Sequence, residues 1–347
     1  MGCARAYRAA RRKVRPTHRR AAGRPAELQL GTRPWSNNHA RTGSRRREGP
    51  VLTADYLIGV DGGGSGTRAV VEHVRHGLVG AASAGPSALG QGIDQAWANV
   101  EAAVRQAFAA GGVDVPPWRH CALAVGLSGV SHRPWRDAFL ARNPGFARID
   151  AETDSYTMLL GAHGGRAGAI VIAGTGSIAE SVRADGSRAT VGGWGFRVDD
   201  EGSGGWLGLQ AVRHGLAAFD GRANVSPLAR RVWMHCGDER ETLQSWCAES
   251  GQFEFAQLAR AVFECEATDQ AAARLLQQAT ESLENLALAI DPRGRLPLAV
   301  AGSIGERLTP RMRPALRARI VPAQAGAAEG ALMLARRAMR NVTEVAL

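Results

Sequence analysis

Between residues 56 and 71 the chain reads YLIGVDGGGSGTRAVV, and the groups there with chemistry to offer are Asp61, Ser65 and Thr67, set in a run of glycines. Two apolar runs flanking such a turn read as a β-hairpin with almost no side chain at its tip. Bare backbone lets amide N–H groups come close to an anion. An aspartate at the strand end would repel a phosphate unless a divalent cation lay between them. The chemistry suggested is therefore that of ATP, with Mg²⁺ held at Asp61. A glycine hairpin that binds nothing fits the same residues.

Residues 169–182 repeat the pattern, with AIVIA, then Gly174-Thr175-Gly176-Ser177, then IAESV. Two strand–turn–strand units, each followed by further strands and helices, predict a duplicated α/β protein around a central cleft. A turn duplicated at matched positions is harder to explain as punctuation, which favours phosphate binding.

The elements that must position these turns follow from periodicity. Residues 54–82 read as two or three strands in a meander. Residues 95–110 place Trp97, Val100, Val104 and Phe108 on one helical face. Residues 121–127 (CALAVGL) read as a buried strand ending at Ser128-Gly129, 134–140 as a helix, and 147–151 as a strand. Asp154 follows that strand and opens a helix to residue 162, either as a reactive carboxylate or as an N-cap. Beyond the second hairpin come Gly192-Gly193-Trp194-Gly195 and DDEGSG at 199–204. Trp194 reads as a loop aromatic or a core residue, and Asp200-Glu201 as a site or a solvated acidic turn. Helices are expected over 205–219, 253–263 and 269–290, the last capped near Asp269. A strand at 298–301 runs into Gly302-Ser303, a helix begins over 304–308, and an amphipathic helix at 327–340 closes the chain with basic last turns.

Composition narrows the chemistry. Lys13 is the only lysine, so no Walker A, Schiff-base or kinase-strand lysine is present. Phosphate must be held by amides, hydroxyls, arginine and metal. The formal charge of +11 is concentrated in residues 1–50, with 13 Arg and Lys13 against Glu27 and Glu48, a local net of +12 that leaves −1 for the rest. Residues 1–53 have too little apolar periodicity to order themselves and read as a disordered basic extension. A nucleic-acid-binding arm, a targeting peptide or a start assigned too early are its readings; apart from it, nucleic acid is not expected. The 5 cysteines form no C-x-x-C pair, which fits a reducing, cytoplasmic compartment, and no segment reads as membrane-spanning or as a signal peptide.

Taken in order, DGGGSGT, Thr153-Asp154 before a helix, AGTGS, GGWG, DDEGSG and AVAGSIG resemble the sugar kinase/Hsp70/actin superfamily. More narrowly the chain resembles the BadF/BadG/BcrA/BcrD-type ATPase family and, within it, the N-acetylglucosamine and glucosamine kinases, over roughly residues 55–340. The resemblance implies two duplicated RNase-H-like (actin-like ATPase) domains with ATP in the cleft between them, and a homodimer. The domains would be 54–165 with a closing segment 323–342, and 166–322. It implies that Gly63, Gly64, Ser65 and Thr67 hold one phosphate region, and Thr175, Gly176 and Ser177 the other. Gly302 and Ser303 would lie under the adenosine with Arg307 nearby, and Asp61 would hold Mg²⁺ through water. Asp154 would be the catalytic base, and Ser128, Gly129, Gly193, Trp194, Gly195 and Asp200 would line the sugar site. Phosphoryl transfer needs positioning and charge stabilisation, which this set could supply.

Two departures bear on the sugar. Ala88 stands where many relatives carry a sugar-contacting Asn, and Asp199 precedes Asp200 where relatives usually have Gly, which favours a protonated amine as in glucosamine. The competing expectations are an ATPase activator of a CoA-thioester dehydratase or reductase, which needs cluster-binding cysteines, and a sugar-sensing regulator, which needs a helix-turn-helix that residues 1–53 lack.

Overall fold

The computed structural model describes residues 54–345, with side chains as far as Met339; the basic extension at 1–53 lies outside the described residues. The described residues fall within one compact unit. Its first sheet begins with the antiparallel meander β1 (Tyr56–Gly62), β2 (Thr67–His73) and β3 (Gly77–Ala84). After α1 (Ile93–Ala110), β4 (Cys121–Leu127) pairs parallel to β1. After α2 (Arg133–Ala141), β5 (Arg148–Glu152) pairs parallel to β4, giving the order β3-β2-β1-β4-β5.

Helix α3 (Asp154–Ala162) leads to a second sheet built to the same plan. Strands β6 (Gly168–Ala173), β7 (Ser177–Val182) and β8 (Arg188–Gly192) form its meander. A helical crossover follows: α4 (Gly204–Phe219), α5 (Pro227–Cys236), α6 (Arg240–Glu249), α7 (Gln252–Gln257), α8 (Ala259–Cys265) and α9 (Gln270–Ile290). Then β9 (Leu298–Ala301) pairs parallel to β6, completing the order β8-β7-β6-β9. Past α10 (Ser303–Leu308) and α11 (Pro314–Arg317), a single parallel bridge between Leu298 and Ile320 stands where the first sheet has its fifth strand. Helix α12 (Ala327–Val345) closes the chain.

Strand alternation explains the layers. In β1, Ile58 and Val60 face a core with Trp97, Val104 and Phe108 of α1 and Phe139 of α2. Leu57 faces the other way and packs on Ala328, Ala331 and Leu332 of α12. In the second sheet Val171 and Ala179 pack on the crossover helices, including Leu207 and Leu283. Ile170 faces inward onto Tyr156, Leu159 and Leu160 of α3. Helices α3 and α12 thus form a middle layer, with one sheet on each side of it.

Several parts differ from the sequence expectation, the short helix α11 among them. Strand β8 and helices α5 and α6 were not anticipated, and the helix expected over 253–263 is two helices that break at Leu258. The break has a packing cause. A Cβ on Gly208 of α4 would lie 1.7 Å from the Phe255 carbonyl. With α7 pressed that closely on α4, the backbone tightens and Leu258 N donates to Phe255 O at 3.0 Å.

Candidate active site

The first turn is held open by its surroundings. Gly63 N donates to Gly66 O at 3.0 Å, and the Gly63 carbonyl accepts from Ser87 N at 3.0 Å and Ala88 N at 3.2 Å. Gln91 Nε2 donates to Gly64 O at 3.3 Å. With carbonyls so engaged, the amides of Gly64, Ser65 and Gly66 meet no acceptor among the described residues. A Cβ at Gly63 would meet nothing within 4 Å, and its φ is not in the left-handed region, so glycine is not needed there for backbone shape. Thr67 is buried, with its hydroxyl 2.6 Å from Gly85 O and 2.7 Å from Ser87 Oγ. It anchors the 85–88 loop to the hairpin rather than facing a ligand. Ser128 N, at the end of β4, donates to Gly62 O at 3.0 Å and brings Ser128 and Gly129 beside this turn.

The second turn repeats the design. Gly174 N donates to Gly176 O at 2.9 Å, while the carbonyls of Gly174 and Thr175 accept the first amides of α4, Gly204 N at 2.8 Å and Gly205 N at 3.0 Å. The amides of Thr175 and Gly176 again meet no acceptor among the described residues, and a Cβ at Gly174 would meet nothing within 4 Å. Ser177 differs from the expectation, because its hydroxyl donates to Glu201 O at 2.9 Å. Gly302, at φ +86, passes so close that a Cβ would lie 2.4 Å from Ala173 O. It therefore places the exposed Ser303, the first residue of α10, beside the turn. Arg307 is exposed, with its guanidinium 3.8 Å above the Phe263 ring.

Asp200 corrects the sequence reading. It was expected among the sugar contacts, but it is 5% exposed and both its oxygens are engaged. One accepts from Ser177 N at 3.2 Å and the other from Gln252 Nε2 at 2.7 Å. Its φ of 66 is the one positive value at a non-glycine among the described residues, a strained conformation that fixes the carboxylate behind the turn. Gln252, which sequence reasoning missed, also donates to Thr175 O at 3.1 Å. Asp199 Oδ2 accepts from Trp194 N at 2.9 Å and closes the 194–199 loop. Trp194 itself is 82% exposed, between Gly193 at φ +74 and Gly195 at φ +99, so the core alternative does not hold.

Asp154 is the first residue of α3 but not its cap. Thr153 has that role, its hydroxyl accepting from Tyr156 N at 3.2 Å. The N-cap alternative for Asp154 is thereby replaced, and among the described residues its carboxylate accepts from Ser155 N at 2.9 Å. Burial pushes this carboxyl above the usual range, against the pull of the amides at the helix start. Asp61 lies on the inward face of β1, with Leu57 and Gly59, because it is an even number of residues from both. Burial, then the charge of Asp154, push it up to about 6. Burial, with a smaller push from Asp154, also raises Glu180, a 4% exposed residue of β7 that sequence reasoning passed over.

Two features fit a phosphate–metal ligand. The amides without acceptors and the unfilled space at Gly63 and Gly174 form a cradle at each turn. Asp61 is raised first by burial and then by the charge of Asp154, the direction a neighbouring cation would reverse. Among the described residues no three acid, histidine or cysteine side chains gather to cage a metal. Asp61 is the carboxylate there that would hold a Mg²⁺ ion bound together with phosphate.

Two meander-led sheets, each opening on a bare turn, with a carboxylate on the helix between them, define a two-domain actin-like ATPase fold. The chain belongs to the BadF/BadG/BcrA/BcrD ATPase family, which it matches over residues 58–335. It is 32% identical to glucosamine kinase GspK of Vibrio cholerae over 289 residues, 83% of this chain and 98% of that one. It is 30% identical to the N-acetylmuramic acid/N-acetylglucosamine kinase of Clostridium acetobutylicum over 178 residues, 50% of this chain and 57% of the relative. Among solved structures, a Chromobacterium violaceum protein provisionally named an N-acetylglucosamine kinase superposes with a TM-score of 0.79 at 42% identity, over 81% of this chain and 99% of that one.

Proposed function

We propose that this protein is an ATP-dependent amino-sugar kinase that transfers the γ-phosphate of ATP to the 6-hydroxyl of glucosamine or N-acetylglucosamine. The observation that carries the reading is the Asp154 carboxylate, which Thr153 leaves free of capping at the start of α3, the helix that links the two sheets bearing the open turns. Similarity to a glucosamine kinase over 98% of that enzyme's length supports the choice of acceptor. The amides at residues 64–66 and 175–176 hold phosphate oxygens in place of the missing lysines. Asp61 holds Mg²⁺, which when bound neutralises charge on the phosphates. Asp154 accepts the proton of the attacking sugar hydroxyl as the oxygen–phosphorus bond forms and ADP departs, and later releases that proton to solvent. The exposed face of Trp194 is available to a sugar ring.

In this reading residues 54–165 with the closing helix form one domain and 166–322 the other, supported by the packing of α12 on β1 and β4. The partners are ATP, the amino sugar and a second copy of the chain. The four described cysteines are free, which supports a reducing, cytoplasmic setting. Three of them are buried, which disfavours a cluster-binding activator.

The test is coupled ADP release with glucosamine, N-acetylglucosamine, glucose and no sugar. Sugar-dependent release by the wild type, lost in Asp154→Asn, is expected. Release that ignores the sugar contradicts the reading.

A further inference from the structure

Glu180 serves none of the steps above, yet it is buried and reaches across the middle layer. It stands on β7, three residues beyond Ser177 of the second turn, and alternation turns it toward α3 while Ala179 faces the crossover helices. Its Oε1 lies 2.5 Å from Ser155 Oγ and 3.3 Å from Thr153 Oγ1. One carboxylate oxygen therefore accepts from the hydroxyls on both sides of Asp154 in the sequence. The Thr153 hydroxyl in turn accepts from Tyr156 N at 3.2 Å, so the same bonds set the first turn of α3. The second oxygen faces Arg188 Nη2 at 3.9 Å. Arg188 continues the connection, with Nη1 3.2 Å from both oxygens of Glu152 at the end of β5 and its guanidinium 3.2 Å above the Tyr156 ring. Buried charge-assisted hydrogen bonds of this kind are stronger and more directional than neutral ones.

We propose that Glu180 is a positioning residue: through Ser155 and Thr153 it fixes the start of α3, and with it the Asp154 carboxylate, relative to the strand that carries the second phosphate turn. One strand thereby sets the distance between the phosphate and the group that takes the acceptor's proton. The proposal rests on the kinase reading for its catalytic consequence, though not for its structural one. Glu180 touches neither phosphate turn side chain nor the acceptor, and acts only through α3.

The test uses the full chain with Glu180→Ala, Glu180→Gln, Ser155→Ala and the Glu180→Ala/Ser155→Ala pair. Glutamine keeps an acceptor oxygen for both hydroxyls, so Glu180→Gln should retain turnover. Glu180→Ala should lower kcat with KM for ATP unchanged, by up to about 100-fold, the size a displacement near 1 Å can produce. The double variant should be no worse than Glu180→Ala alone, because Ser155→Ala removes a bond that Glu180→Ala has already broken. Hydrogen exchange reads the strut without any activity. In Glu180→Ala the amides of residues 155–157 should exchange faster than in wild type, while those of the α9 core do not change; this also shows that the variant is folded. Unchanged exchange at 155–157 overturns the strut. Faster exchange there with an unaltered kcat, or a KM effect alone, overturns the positioning role. A wild type without sugar-dependent ADP release would count against the kinase reading and the catalytic half of this proposal, and the exchange result would still decide the strut.

Discussion

Burial and the neighbouring Asp154 push the Asp61 carboxyl from 3.8 up to about 6. The folded protein thus holds this proton more tightly than the unfolded chain does. The group favours folding below about pH 3.8, and that contribution is lost as pH rises through about 6. Above that window an ionised carboxylate remains partly buried beside another acid, which costs stability until a cation binds. Asp61→Asn removes the cost. Thermal melts at pH 8 without ligand should show the variant more stable than wild type, by roughly 1–3 kcal/mol for a shift of about two units. The same variant should lose the extra stabilisation that Mg²⁺ with ATP gives wild type. A variant no more stable than wild type at pH 8 would remove the electrostatic argument. At this scale the sequence was partly legible. Asp61 and Asp154 stand out because an acid follows a strand and meets glycine or a helix start. Glu180, Arg188 and Gln252 did not, because the hydrogen bonds that define their roles reach 25 to 77 residues along the chain and no local spacing announces them.

At the scale of elements, the two hairpins share one construction: carbonyls of the turn are engaged from behind and amides are left forward. Gly63 and Gly174 have ordinary backbone angles and empty space where a Cβ would sit. Alanine at either position should therefore leave urea stability within about 1 kcal/mol of wild type, the range for changes that create no clash. It should weaken ATP binding, measured as KM for ATP or by titration. A large loss of stability with unchanged ATP affinity would show that these glycines serve the fold alone. The meanders and parallel strands were readable because buried strands are short apolar runs ended by Gly or Ser. Strand β8 alternates exposed Arg188 and Thr190 with half-buried Ala189 and Val191, so it has no continuous apolar run. The break at Leu258 was hidden because it arises from contact with α4, not from a Gly or Pro in the helix.

The whole molecule is held together by close backbone approaches in its middle layer. A Cβ on Gly59 of β1 would lie 2.2 Å from Ala328 O and 2.4 Å from Leu332 N of α12. A Cβ on Gly330 would lie 1.8 Å from Thr157 O of α3. Neither neighbour is a flexible side chain, so α12 must move if either glycine is replaced. Gly59→Ala should cost about 3 kcal/mol in urea unfolding, at the upper end of ordinary overpacking. A cost near zero would mean that α12 is not seated against β1. This layer carries Asp154 on α3 between the sheets that bear the two turns, so its integrity bears directly on the reaction. No described helix is long and apolar enough to cross a membrane.

The proposed reaction is phosphoryl transfer from ATP to the 6-hydroxyl of an amino sugar. Phosphorus NMR of the product formed from ATP, Mg²⁺ and glucosamine or N-acetylglucosamine tests it most directly. A sugar 6-phosphate is expected in amounts equal to the ADP released, and it should be absent with Asp154→Asn. Inorganic phosphate as the only product, formed equally with and without sugar, would contradict it.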